Sequence, residues 1–173
     1  MVTESNLYVT KRGDKGKESL NIDKIHSMVG YATEGITGVS ASHVEMNSGI
    51  QFFDGINTED IQQILIKSAN DLISLESPNY QYVAARLLLF SLRKKLFHRL
   101  WEHPKFVDQI KTCVDAGVYD KAILENYTEA EIDRMGMWID HERDYTFTYA
   151  GLRQVMDKYL VQDRSNGEIF ETP

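Results

Sequence analysis

The 173-residue sequence has a single cysteine, Cys113, and no long apolar run. One cysteine cannot form an internal disulfide, a CxxC redox pair or, by itself, a zinc site. Because it falls in a stretch with helical periodicity, we predict a small core residue rather than a catalytic thiol. No segment approaches the roughly 20 apolar residues that span a bilayer, and the N-terminus lacks the pattern of a secretory signal. These absences predict a cytoplasmic protein with no membrane contact.

Positive charge is also scarce, with 19 Lys and Arg residues against 26 Asp and Glu. The formal net charge of -7 argues against nucleic acid as a partner. The five histidines are scattered and form no metal-ligand pair, so we predict no metal site built by the protein. A chain of this length can bury one good core or two small ones.

Against this acidic background, five cations are concentrated near the N-terminus: Lys11, Arg12, Lys15, Lys17 and Lys24. The segment follows an apolar run and contains Gly13 and Gly16, a pattern that predicts a strand, a tight turn, a second strand and the start of a helix. Cations beside a helix N-terminus can hold a phosphate group, although solvated surface charge is the alternative. A Walker loop is excluded, because Glu18 follows Gly16-Lys17 where Ser or Thr is required.

Apolar residues with helical spacing predict four helices after this hairpin, at about residues 23–33, 40–53, 58–73 and 80–97. Asp23, Ser40 and Thr58 are the predicted N-caps of the first three. The fourth ends in the cations Arg93, Lys94 and Lys95, which complement the helix dipole.

The remaining residues predict a second, helical region that begins near Trp101. Helices are expected at about residues 104–116, 121–127 and 144–159, with another opened by a capping-box pattern at Thr128. Asn166-Gly167 between apolar runs predicts a terminal hairpin. The run from His141 to Asp144 fits neither a kinase loop nor a zinc helix, so we interpret it as the charged, exposed start of a helix.

Several separated segments resemble an ATP-cone, the small regulatory domain at the N-terminus of many ribonucleotide reductases. They are residues 9–12, 18–25, 54–61, 80–86 and 93–95. The second half, through residues 141–144, 147–149 and 159–161, resembles the helical segment that follows the cone in class I large subunits. The resemblance implies a mainly α protein. Residues 1–97 would form a short β-hairpin lid on a four-helix bundle, and residues 98–173 a helical segment ending in a β-hairpin, before the catalytic barrel.

The resemblance also implies a binding site for ATP or dATP. It assigns the base to the apolar Leu20, Ile25 and Ile61, with Glu18 and Asn21 reading its edge. The site as a whole comprises Val9, Lys11, Arg12, Glu18, Leu20, Asn21, Lys24, Ile25, Thr58, Ile61 and Lys94. Among these, the four cations Lys11, Arg12, Lys24 and Lys94 are assigned to the phosphates and Thr58 donates a hydroxyl; Mg²⁺ would accompany the phosphates.

In that family ATP keeps the enzyme active and dATP turns it off, through contacts with the small radical-generating subunit and with other large subunits. The chain lacks the cysteines of the reaction, so we predict no catalysis by it alone and no catalytic residue. Tyr31, Gln62 and Ser91 depart from the best-known bacterial pattern, which leaves open the sign of the response and the number of nucleotides bound. One alternative is a helical interaction module that no longer binds nucleotide. A repressor carrying a cone is excluded, because its zinc ribbon needs four cysteines.

Overall fold

The structure is a computed structural model that describes residues 7–11, 16–49 and 51–173. The chain forms two compact units, Met1–Leu88 and Leu89–Pro173. The predicted change of domain near residue 97 stays a prediction. None of the helices in the described parts of the chain has the length and apolar character that crossing a membrane requires.

A three-stranded sheet opens the first unit. Strand β1 (Tyr8–Thr10) pairs antiparallel with β2 (Lys17–Ser19), which confirms the predicted hairpin. A third strand, β3 (Ile56–Asn57), pairs with β1 in parallel and was not predicted. The strand order is β2-β1-β3, so β3 extends the predicted hairpin to a small sheet within a mainly α fold.

The Asp54-Gly55 dipeptide fixes β3 to β1. The backbone N–H of Gly55 donates to the carbonyl of Tyr8 at 2.8 Å, and the N–H of Tyr8 donates to Asp54 Oδ1 at 2.8 Å. Gly55 has a φ of 82°, in the region that favours glycine. In the sequence this dipeptide simply follows the helix predicted over residues 40–53, whereas in the structure it joins two distant strands.

The four predicted helices of the first region are all present: α1 (Ile22–Thr33), α2 (Ala41–Gly49), α3 (Thr58–Asp71) and α4 (Tyr80–Phe97). Two predicted N-caps are wrong by one or two residues. Asn21 caps α1 and Asn57 caps α3, because each side-chain oxygen accepts a backbone N–H of its helix. The predicted extension of α2 to Phe53 is also wrong, since Phe52 N donates to Gly49 O in a turn.

The core of the first unit is formed by one face of each helix and the inner face of the sheet. Its largest fully buried side chains include Ile56, Leu65, Leu87, Val29, Val44 and Val83. Full burial of such a side chain contributes about 1.5–3 kcal/mol, so this apolar face accounts for most of the stabilisation of the helices.

The second unit contains four further α-helices, a 3₁₀ helix and a short hairpin. They are α5 (Phe106–Asp115), α6 (Ala122–Asn126), α7 (Glu129–Gly136), the 3₁₀ helix (His141–Thr146), α8 (Tyr149–Lys158), β4 (Gln162–Asp163) and β5 (Glu168–Ile169). The predicted capping box at Thr128 and the terminal hairpin are confirmed. A continuous helix over residues 144–159 is wrong, because Thr148 is extended and caps α8 by accepting from the N–H of Gly151.

A small apolar cluster holds the second unit together, with Val107, Ile110 and Ile132 at its centre. Gly136 permits close packing of α5 on α7, since a Cβ at that position would lie 2.5 Å from Phe106 Cβ. Cys113 is fully buried, as predicted for a small core residue.

Candidate functional site

The three-stranded sheet places the start of α3 beside the end of β1. Thr10 is paired with Asn57 in the parallel register, so Lys11 and Thr58 are the residues that follow at the same end of the two strands. The hydroxyl of Thr10 donates to the carbonyl of Gly55 at 3.2 Å, which secures this end of the sheet. A cation, a hydroxyl and a helix N-terminus therefore meet at one edge of the first unit.

Glu18 lies between two of the predicted phosphate-binding cations. Its Oε2 is 2.8 Å from Lys11 Nζ, and its Oε1 is 3.9 Å from Lys24 Nζ. The two lysine side chains are 45% and 71% exposed, whereas that of Glu18 is 34% exposed. The pairs are accessible to solvent, so an anion in solution can compete with the carboxylate for either lysine.

Asn21 connects this charged cluster to α1. Its Oδ1 accepts the backbone N–H of Lys24 at 3.0 Å, which places both residues in the first turn of the helix. The N–H groups of that turn carry partial positive charge. One cationic side chain, that of Lys24, and several backbone donors are thus combined within one short segment, residues 18–24.

The predicted site has four apolar residues, and three of them, Leu20, Ile25 and Ile61, are the predicted contacts of the base. Val9, Ile25 and Ile61 are buried, whereas Leu20 is partly exposed. Leu20 therefore offers the most accessible apolar surface among the four. The assignment of these residues to a base stays a prediction.

Two predicted phosphate ligands cannot be placed beside the others. Arg12 lies outside the described residues, as does the turn that contains Gly13 and Lys15. Lys94 is exposed in the last turn of α4, within the second unit. Their roles also stay predictions.

Sequence reasoning missed Asn57 and Asp54, which fix the geometry of this site. Asn57 Oδ1 accepts the N–H of Glu59 at 2.9 Å and so starts α3. An Asn directly before Thr-Glu-Asp is typical of a helix N-cap, so the sequence did contain a signal for Asn57. The contact between Asp54 and Tyr8 joins residues 46 positions apart and has no local signal.

The second unit contains a buried charged cluster centred on Arg93. Its Nη2 is 3.0 Å from Asp144 Oδ2, and its Nη1 donates to the hydroxyl of Tyr145 at 2.9 Å. Arg93 and Asp144 are both buried, so interpreting His141–Asp144 as exposed charge is wrong for Asp144. Burial raises the pKa of the Asp144 carboxyl, and the hydrogen bond from Arg93 acts in the opposite direction.

Two histidine rings stack beside this cluster. The ring centroids of His103 and His141 are 3.4 Å apart, with an angle of 4° between the planes. Burial, followed by the charges of His141 and Arg93, lowers the pKa of His103 to about 4. Burial also lowers the pKa of His141. Both rings are therefore neutral at pH 7.

A cavity of about 760 Å³ lies in the second unit, lined by α5, α7 and the C-terminal residues. Both acidic residues of its lining already accept hydrogen bonds from the protein. Asp133 accepts the N–H of Val107, and Glu171 accepts the N–H of Val161 and the hydroxyl of Tyr119. None of the predicted site residues is part of the lining. Within the described ranges, no group of three or more His, Cys, Asp or Glu residues is arranged to hold a metal ion.

The domain that these elements define is an ATP-cone. Residues 7–95 match the ATP cone domain family, and the chain belongs to that family. The match covers the sheet, α1 to α3 and all but the last two residues of α4.

The chain is also similar to ribonucleoside-diphosphate reductase alpha subunits along nearly its whole length. It is 51% identical to the alpha subunit of ribonucleoside-diphosphate reductase 1 of Escherichia coli K12 over 167 residues, which is 96% of this chain and 22% of that protein. Identity to the Haemophilus influenzae subunit is 50%, with the same coverage. Identity to the phage T4 subunit is 44%, over 90% of this chain and 20% of that protein. The resemblance seen in the sequence is confirmed, and the chain spans about a fifth of the length of these relatives.

Proposed function

We propose that this chain is a regulatory region that binds ATP and dATP at the edge of its three-stranded sheet. The observation that carries the proposal is the grouping of Lys11 and Lys24 around Glu18, within the residues that match the ATP-cone family. The N-terminus of α3 follows β3 at the same end of the sheet where Lys11 follows β1. Charge-assisted hydrogen bonds to phosphate are about twice as strong as neutral ones. Two exposed lysines near a helix N-terminus suit a triphosphate.

The base would lie against Leu20, with Glu18 and Asn21 as polar contacts to its edge. An amide and a carboxylate together offer both donors and acceptors, which an adenine edge requires. Discrimination between ATP and dATP depends on one hydroxyl group and corresponds to about 1–3 kcal/mol of coupling free energy. Mg²⁺ would accompany the phosphates and keep several of its water ligands.

In a full-length reductase alpha subunit, this region would control overall activity. The relatives are named for ribonucleoside-diphosphate reductase. We propose that the complete protein reduces ribonucleotides in the cytoplasm, and that nucleotide binding here alters its association with a radical-generating subunit or with other alpha subunits. The 173-residue chain has one cysteine, which is buried, and would reduce no ribonucleotide by itself.

Calorimetric titration of the purified chain with ATP and dATP, with and without Mg²⁺, tests the proposal. We expect saturable binding of both nucleotides. A chain that binds neither would instead be a helical interaction module with a degenerate cone.

Hydrogen exchange with and without dATP would then locate the site. We expect added protection over residues 9–25, 58–64 and 90–95, and little change over residues 104–171. A ligand stabilises what it binds by RT ln(1 + [L]/Kd), or about 2.7 kcal/mol at a hundredfold excess over Kd. Protection confined to the second unit would place the nucleotide elsewhere and contradict the proposal.

A further inference from the structure

We propose that Glu18 is an internal counter-ion that weakens the binding of base-free polyphosphate at the nucleotide site. This inference rests on the proposed function. Its carboxylate contacts Lys11 Nζ at 2.8 Å and lies 3.9 Å from Lys24 Nζ, so one anionic group already neutralises both lysines. An incoming polyphosphate must take these lysines from the carboxylate.

The sheet prevents Glu18 from moving far when an anion arrives. Glu18 lies in β2, directly opposite Val9 in β1, and its neighbours Lys17 and Ser19 are paired with Thr10 and Tyr8. Its backbone position is therefore fixed, and only its side chain can rotate. A phosphate bound to Lys11 would remain within a few ångströms of the carboxylate. Like charges at that distance repel each other, most strongly at low ionic strength.

A nucleotide compensates for this repulsion and an inorganic polyphosphate does not. The amino group of adenine is a hydrogen-bond donor, and it can replace a lysine as the partner of the displaced carboxylate. Tripolyphosphate has comparable charge but no base, so it brings no amino group to the carboxylate. Glu18 therefore favours a phosphate ligand that carries a base over one that does not, which gives selectivity without an additional phosphate contact.

The variant Glu18→Gln tests this role, because it keeps the shape of the side chain and removes its charge. We expect its affinity for tripolyphosphate to rise about two- to fivefold, the range associated with exposed ion pairs. Its affinity for ATP should fall, because the neutral amide is a weaker acceptor for the adenine amino group than the carboxylate. The ratio of ATP to tripolyphosphate affinity therefore decreases. Raising the salt concentration from 50 to 300 mM should reduce the gain for tripolyphosphate.

Two further variants serve as controls. Glu76→Gln removes the same charge from the exposed loop after α3, a helix of 14 residues and so about 20 Å long. It should leave the affinity ratio unchanged. Glu18→Asp keeps the charge and should keep the discrimination against tripolyphosphate. Thermal unfolding of each variant would verify that the fold is intact.

The outcomes separate this inference from the proposed function. If the unmodified chain binds neither ATP nor dATP, the proposed function and this inference both fail. If it binds ATP but Glu18→Gln gains no affinity for tripolyphosphate, only the counter-ion role fails. An equal gain in Glu76→Gln would also overturn it, because the effect would then reflect net charge alone.

Discussion

Each unit contains a carboxylate paired with a cation, but in opposite environments. Lys11 and Glu18 in the first unit are 45% and 34% exposed at their side chains, with the charged atoms 2.8 Å apart. Arg93 and Asp144 in the second unit are 3% and 7% exposed, at 3.0 Å. The distances are similar, and the difference in burial determines what each pair can do.

An exposed pair stabilises a fold by about 0.2–1 kcal/mol, and either partner can exchange it for another ion. A buried pair leaves an uncompensated charge in a medium of low polarity when one partner is removed. The pair of Lys11 and Glu18 is thus available to a ligand, whereas the buried pair of Arg93 and Asp144 fixes the structure around it. Predictions that separate binding from stability can test this contrast.

The largest effect is expected for Arg93→Met. It leaves Asp144 buried without its cation and should lower the free energy of unfolding of the second unit by about 3–5 kcal/mol. Both tryptophans, Trp101 and Trp138, belong to this unit, so their fluorescence during urea denaturation reports its unfolding. The double variant Arg93→Met/Asp144→Leu should recover much of the loss. A single variant that loses less than about 1 kcal/mol would show that the pair is structurally dispensable.

Lys11→Ala should have the opposite effects, a large one on ATP binding and a small one on stability. Loss of a charge-assisted contact to phosphate corresponds to about 1.5–3 kcal/mol, or roughly a ten- to hundredfold weaker binding of ATP. Its unfolding free energy should change little, because the side chain is exposed. Calorimetry on this variant and on Lys94→Ala would measure the loss. Lys17→Ala, on the same hairpin, is the matched control; an equal loss there would mean that the hairpin acts only through its total charge.

A second contrast, between local and distant contacts, explains which features of the fold could be predicted from the sequence. The hairpin, the extent of α4 and the capping box at Thr128 depend on neighbouring residues, and their patterns were sufficient. Strand β3 has two residues, too few for an alternating pattern, and it pairs with residues more than 40 positions away. The pair of Arg93 and Asp144 spans 51 positions and has no local signal either.

The candidate site likewise combines residues that local structure brings together with one that a distant strand pairing places. Lys11, Glu18 and Lys24 come together through a hairpin and the first turn of a helix, both of which are local. The position of Thr58 beside Lys11 depends on β3, so composition and periodicity alone could not supply it. Resemblance to the family provided that residue, and the sheet register now gives a physical reason for its position.

The stacked histidines of the second unit predict a loss of stability in acid. The pKa of His103 is about 4 in the folded chain, against an ordinary value near 6.5. Between these values the unfolded chain takes up a proton that the folded chain does not, so stability is present above pH 6.5 and is lost as the pH falls to about 4. Allowing for partial exposure, we expect a loss of about 2 kcal/mol.

Denaturation curves at several pH values would measure this loss. The raised pKa of Asp144 acts in the opposite direction and offsets part of it. His103→Gln should flatten the profile between pH 6.5 and 4, whereas His26→Gln, at an exposed histidine of the first unit, should not. An unchanged profile in His103→Gln would contradict the assignment of the acid sensitivity to this ring.

The smallest effects are expected when one helix cap in each unit is removed. Thr128 accepts the N–H of Glu131 and donates its own N–H to the carboxylate of that residue. Asn21 accepts the N–H of Lys24 at the start of α1. Replacing either cap with Ala should cost about 1 kcal/mol of stability.

Thr128→Ala should leave ATP affinity unchanged, whereas Asn21→Ala should weaken it as well, because Asn21 is also a proposed contact of the base. Calorimetry and denaturation on the two variants distinguish a purely structural cap from one that contributes to a binding site. Equal ATP affinity in both would remove Asn21 from the site and leave it, like Thr128, a structural residue.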